Sequence, residues 1–254
     1  MLFLLDLDDG PFWRFLDTRG LERVIMTRDT RETLDSKIRE LNDAITELAL
    51  IVEEAILGSV IALADRDINT AKVIYEGDKN INEKRFELER QALIIVATQQ
   101  PMATDLRRLS SIIDIAGELE RIGDYAKGIA RIAMRLGDNP PLRQLVNIPK
   151  MAELTADMLH RGIKAFVNLD EEAGLAIPRE DDQIDVLYNL DYQELLELMI
   201  NDRENIDRAT FHLWVAHNLE RAADRVTNIC ERTVFTTSGK LIEFDRTDDE
   251  TDAF

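Results

Sequence analysis

Apolar residues recur at three- and four-residue steps through most of this chain, the spacing that lines one face of an α-helix. Leu34, Ile38, Leu41, Ile45, Leu48, Val52, Ile56 and Val60 make the first such stripe and predict a helix over Thr30–Ala64. The polar triplet Asp65-Arg66-Asp67 separates it from a second helix, Ile68–Gln99, with Gly77 as its candidate bend. Gln99-Gln100-Pro101 should end that helix, because a residue before proline disfavours helical dihedrals. A third helix is expected over Met102–Leu136, closed by the turn chemistry of Gly137-Asp138-Asn139-Pro140-Pro141. The second half repeats the plan: Pro149–Asn168, Asp170–Met199 with an interruption near Pro178, and Asn205–Phe235, stopped by Thr236-Thr237-Ser238-Gly239. No stretch alternates in the manner of a strand. The pattern predicts an all-α chain of two tandem antiparallel three-helix bundles, residues 26–139 and 149–236, related by an internal pseudo-two-fold axis.

The ends read differently. Met1–Ile25 carries Gly10, Pro11 and Gly20 and shows no helical period. It is either an artefact of start-site assignment, with Met26 as the true start, or a short ordered extension. Residues 237–254 form an acidic tail, expected to fray from Glu243 onward.

The two halves share more than helix order. Leu119-Glu120-Arg121-Ile122-Gly123-Asp124 recurs one hundred positions later as Leu219-Glu220-Arg221-Ala222-Ala223-Asp224. A carboxylate pair four residues apart in one chain of this acidity means little; the same six-residue frame near the end of each half points to a duplication. The spacing sets Glu120 over Asp124, and Glu220 over Asp224, one turn apart on one helix face. Unpaired like charges so placed cost a few tenths of a kcal/mol, about 0.2–0.5, so nearby cations or a bound metal ion should balance them. Lys127 and Arg131 share the first stripe. The second carries Glu220, Asp224, Thr227 and Glu231, with Arg221 and Arg225 on the neighbouring stripe. A solvated, salt-bridged face is the alternative for both, and such pairs contribute only about 0–1 kcal/mol.

A second acidic cluster stands in each half. Asp78 lies four residues from Asn82, and Asp181 four from Asp185. If the second helix packs beside the third, and the fifth beside the sixth, each cluster meets a Leu-Glu-Arg-x-x-Asp carboxylate pair. An all-oxygen set suits hard cations such as Mg²⁺, Mn²⁺ or Ca²⁺ and can hold iron. The three histidines, His160, His212 and His217, lie outside the duplicated frames and read as core or surface residues. Near Pro101, Thr104 or Asp105 could cap the third helix, leaving Arg107 or Arg108 open to a partner contact.

Composition narrows the function. A formal net charge of -19 argues against nucleic-acid binding, which needs a basic face, and permits cations or a basic partner. The single cysteine, Cys230, excludes an intramolecular disulfide, fits a reducing cytoplasm, and reads as a small core residue. No apolar run is long enough to span a bilayer, and the N-terminus lacks the features of a signal peptide. A cytoplasmic location follows as an expectation, with docking at the inner face of the membrane left open. There is no phosphate loop and no nucleophile–base constellation. A di-metal carboxylate enzyme would need Glu-x-x-His motifs aimed into a bundle, and none occurs; a purely structural helical adaptor remains as a further alternative.

These stretches resemble the PhoU family of bacterial phosphate-signalling regulators. The resemblance rests on Glu76-Gly77-Asp78-Lys79-Asn80-Ile81-Asn82, on Gln100-Pro101 through Asp105-Leu106-Arg107, and on both Leu-Glu-Arg-x-x-Asp frames. It implies a non-enzymatic negative regulator of phosphate uptake and starvation signalling. Such a regulator acts between a phosphate ABC transporter and a phosphate-responsive sensor kinase, as a homodimer without membrane insertion. It also implies metal clusters of iron, zinc, manganese or magnesium on Glu120 with Asp124 and Glu220 with Asp224. Asp78 with Asn82, and Asp181 with Asp185, would complete the two sites. Neutral Asn82 stands where the second half has Asp185, which should weaken the first.

Overall fold

The computed structural model describes residues 18–137, 142 and 147–244, with side chains from residue 31. Among these residues there is no strand. The chain forms α1 (Thr18–Asp65), α2 (Ile68–Gln99), α3 (Thr104–Leu136), α4 (Asn147–Asn168), short α5 (Glu171–Ala176), α6 (Asp181–Asn201) and α7 (Ile206–Ser238). Single 3-10 turns at Ile177–Glu180 and Arg203–Asn205 lead into α6 and α7. The break expected near Pro178 is therefore present: the ring removes one amide donor, and the chain tightens into a 3-10 turn there before α6 begins.

The predicted first stripe is buried from Leu34 to Val60. α1, α2 and α3 pack on one another, as do α4, α6 and α7, with α5 laid on α7 and α4. The two bundles join side by side, α3 along α7 and α1 along α4, around one continuous core. From Ser111 to Arg135 along α3, the α7 partners run back from Thr236 to Phe211, so this central pair is antiparallel. Thr236 Oγ1 donates to Ser111 Oγ at 2.8 Å, Asn228 Nδ2 to Glu118 Oε2 at 3.2 Å, and the Arg135 guanidinium lies 4.9 Å from the Phe211 ring centroid. The midpoint of this pairing falls in the two repeated frames, at Gly123 and Ala223.

Several expected boundaries shift, α4 beginning at Asn147 rather than Pro149 and α6 ending at Asn201 rather than Met199. α1 begins at Thr18 rather than Thr30 and runs unbroken through Met26, so Gly20 does not interrupt helix there; residues 1–17 lie outside the described part. α2 is continuous helix through Gly77. α3 starts at Thr104 with Ala103 in the cap position, which offers no side-chain acceptor, and Asp105 forms an ion pair with Arg31 of α1. α7 runs to Ser238 and ends on Gly239, whose φ of 76° only glycine adopts without strain. Beyond it the tail is not wholly frayed: Phe244 packs against the core, and its amide donates to Glu231 Oε1 at 3.0 Å.

Candidate metal centre

Each acidic cluster is placed by a helix start. Arg66, with φ 59°, turns the chain into Asp67, whose carboxylate accepts from the Asn69 and Thr70 amides at 3.0 and 3.1 Å. Leu169, with φ 56°, does the same for Asp170, which accepts from Ala173 N at 3.0 Å. Eleven positions on from each cap stand Asp78 and Asp181. In the first half about three turns of unbroken helix separate cap from acid, so the cap fixes which way Asp78 faces; in the second the path to Asp181 passes through α5 and the 3-10 turn. The sequence reading missed this repeated cap, although Asp67 and Asp170 were its visible signal.

Close helix contact then brings the acids together. A Cβ on Gly123 would stand 2.9 Å from Ile81 Cδ1. Only glycine lets α2 approach α3 so closely, and Ile81 lies between Asp78 and Asn82. In the second half Ala223 and Ile184 occupy the corresponding positions, both fully buried.

In the first half Asp78 is buried, and Lys127 Nζ donates to its Oδ2 at 2.6 Å while lying 3.7 Å from Asp124 Oδ1. The ammonium is held in its charged form chiefly by that bond. Asn82 Nδ2 donates to the same Asp78 Oδ2 and to the Asp78 carbonyl, both at 3.1 Å. Asn82 thus acts here as a donor that steadies Asp78. Asp78 Oδ1 is buried without a hydrogen-bond partner. Burial, followed by the neighbouring Asp124, raises the pKa of Glu120. Lys127 neutralises this patch as expected. Arg131 does not: it lines a groove between α3 and α7.

In the second half the position of Lys127 is held by Thr227, whose hydroxyl donates to the Asp224 carbonyl at 2.8 Å. Asp181 and Asp185 on α6 face Glu220 and Asp224 on α7. Burial, then Asp185, Asp224 and Glu220, push the Asp181 carboxyl up to about 8. Its Oδ1 is buried and lacks a hydrogen-bond partner. Arg221 reaches Asp224 Oδ2 at 3.4 Å from the neighbouring stripe, so the patch is only partly countered. Glu231, placed on the same stripe by its periodicity, turns away to the Phe244 amide.

His217 Nδ1 lies 3.5 Å from Glu220 Oε2, which puts an imidazole at the edge of this patch. Its three-residue spacing from Glu220 was the signal, and it lay just outside the repeated frame. His212 is buried, with Nδ1 donating to the Arg208 carbonyl at 2.7 Å, and burial lowers its pKa. His160 sits 3.3 Å from Glu53. Cys230 is buried, its thiol pushed up to about 12 by burial, which suits a core residue and not a nucleophile.

Among the described residues no three His, Cys, Asp or Glu side chains already stand at ligand spacing. The donor chemistry nevertheless fits a hard cation: four carboxylates converge in the second half, one with an unpartnered buried oxygen. The fit is poorer in the first half, where Lys127 already occupies the charge-balancing role.

Arg107 and Arg108 join the bundles. Arg107 Nε donates to the Thr236 carbonyl at 3.3 Å, and Arg108 Nη2 to the Val167 carbonyl at 3.0 Å. Their roles lie inside the molecule, where the sequence reading had left a partner contact open.

Comparison with known proteins follows the same two-part division. The PhoU domain model matches residues 45–133 and again 148–233. The chain is 31% identical over 215 residues to the phosphate-specific transport system accessory protein PhoU homolog of Clostridium acetobutylicum, covering 84% of this chain and 98% of that protein. It is 32% identical over 222 residues to the Caulobacter vibrioides homolog of the same name, covering 87% and 96%. The crystal structure of the phosphate transport system regulatory protein PhoU from Streptococcus pneumoniae superimposes with a TM-score of 0.78 at 31% identity, over 83% of this chain and all of that one. Two matched repeats, relatives of full length and a shared helical architecture make this chain a member of the PhoU family.

Proposed function

We propose that this chain is a non-enzymatic negative regulator that restrains a phosphate ABC transporter and keeps a phosphate-responsive sensor kinase off when phosphate is plentiful. The observation that carries this reading is the family match through both halves, to relatives named as accessory and regulatory proteins of phosphate transport. In this reading the chain works as a homodimer in the cytoplasm at the inner membrane face; no helix among the described residues is long and apolar enough to cross a membrane. In cells lacking the chain, a phosphate-starvation reporter should stay on in high phosphate, and restoring the chain should silence it. A reporter already silent without the chain refutes the proposal. Crosslinking in high phosphate, followed by identification of the captured transporter ATPase or kinase, names the direct partner.

The acidic patches belong to this reading as cation sites. Asp181, Asp185, Glu220 and Asp224 would hold an ion in the second half, and Asp78, Glu120 and Asp124 in the first. Iron, zinc, manganese and magnesium are the candidates. A bound ion would add positive charge between α6 and α7 to that of Arg221, which lies 3.4 Å from Asp224. Asp181 must shed its proton to become a ligand. The residues around it set how easily that happens: burial and four neighbouring carboxylates hold the proton on.

A further inference from the structure

The duplication supplies an internal comparison. Two grooves flank the α3–α7 pair, and their linings correspond at one hundred positions' spacing. The first, of about 740 Å³, includes Arg131, Trp214 and Asn218 and reaches Lys127 and Asp124 at the edge of the acidic patch; the second, of about 400 Å³, includes the counterparts Glu231, Asp114 and Glu118. Their chemistry has diverged. In the second groove the charges satisfy one another. Arg232 pairs with Asp114 at 3.5 Å, Arg121 with Glu118 at 2.6 Å, and Arg225 with Glu118 at 3.6 Å. Glu231 accepts from the Phe244 amide.

In the first groove they do not. Lys127, Arg131 and Arg135 follow at four-residue steps on one face of α3. Lys127 is taken by Asp78. Arg131 and Arg135 are exposed and form no ion pair with any described residue. Arg135 lies in the last turn of α3, where the free carbonyls favour a cation, and stacks on Phe211. Arg131 has neither explanation. The facing walls carry aromatic rings: Tyr75 from α2, and Phe211 and Trp214 from α7, the last 56% exposed. In the second groove Asp114 holds the position of Trp214, and Ser111, the counterpart of Phe211, is buried outside the lining.

We infer that this first groove binds a nucleotide, its phosphates on Arg131 and Arg135 and its base against the Trp214 and Phe211 rings. Guanidinium groups pair with phosphate oxygens in forked geometry, and each base–aromatic stack is worth about 1–3 kcal/mol. The volume falls within the roughly 300–1,000 Å³ of ligand pockets. Net charge selects a small ligand over an acidic protein. A chain of -19 repels a large anion along its whole approach. A compact one feels the two arginines within a screening length of about 10 Å at 0.1 M salt. This inference does not depend on the regulatory reading above.

The test is calorimetric titration of the full chain with ADP, pyrophosphate and adenosine, in EDTA so that metal at the acidic patches plays no part. ADP should bind, and pyrophosphate and adenosine at least tenfold more weakly. Arg131→Glu, which copies the second groove, and Arg131→Gln should each weaken ADP at least tenfold. Both sit on an exposed face, and an unchanged circular dichroism spectrum certifies their fold. Arg232→Glu, in the second groove, should leave ADP binding as it was. The inference is overturned if ADP does not bind, if both Arg131 variants bind it normally, if pyrophosphate matches ADP, or if Arg232→Glu weakens it equally.

Discussion

Asp181 shows how much one carboxyl can reveal. Its folded pKa of about 8 lies far above the ordinary aspartate value of about 3.9. Between those values the folded chain holds a proton that the unfolded chain releases, so the Asp181 contribution to stability is present at low pH and lost as pH rises toward 8. Urea unfolding of metal-free protein should therefore give a midpoint that declines across this window, and Asp181→Asn should flatten the decline. A wild-type slope that Asp181→Asn leaves unaltered would show that the proton is held elsewhere. Gly123 makes a second prediction at this scale. Valine there would drive its Cβ into Ile81, and overpacking of this kind typically costs about 1–3 kcal/mol. The measurement is the loss in unfolding free energy of Gly123→Val, which should well exceed that of Ala223→Gly.

At the scale of helices, the two acidic pairs differ in what already balances them. Lys127 bonds directly to the first patch, whereas Arg221 reaches the second only at 3.4 Å. Asp224→Asn should lower bound metal more than Asp124→Asn, by mass spectrometry after equal loading, with both folds intact. Equal losses would show that Lys127 does not decide occupancy. α1 carries a further expectation. Its buried stripe begins at Leu34, so starting translation at Met26 should leave the melting temperature within a few degrees, although the helix itself reaches back to Thr18. The heptad-like stripes, the break at Pro178 and the stop at Gly239 were legible because each depends on residues adjacent in sequence. The true start of α1 was not, since Gly20 lowers helix propensity without forbidding helix. Nor could periodicity show that Arg131 leaves the acidic stripe for a groove or that Glu231 turns to Phe244. A helical angle gives the direction of a Cβ; the partner that captures a long side chain comes from another helix.

For the whole molecule, the junction between bundles matters most. Arg107 and Arg108 at the start of α3 tie it to the ends of α7 and α4 through backbone carbonyls. Truncating Arg108 leaves the Val167 carbonyl to water and removes a charged donor bond of about 1.5–3 kcal/mol. Hydrogen exchange should then quicken at the α4 C-terminus while α2 is unaffected. Uniform quickening everywhere would mean the bundles unfold as one unit.

The turn after α5 has a consequence for which chain lengths this fold tolerates. From Asp67 to Asp78 the helix is unbroken, so one inserted residue would swing Asp78 about 100° around its axis and away from Lys127. From Asp170 to Asp181 the path runs through α5 and the 3-10 turn at Ile177–Glu180. A 3-10 helix turns roughly 120° per residue, against 100° for the α form, so that segment can trade one winding for the other and absorb a change in length. Insertions and deletions should accordingly be survivable between residues 171 and 180 and damaging between 68 and 77.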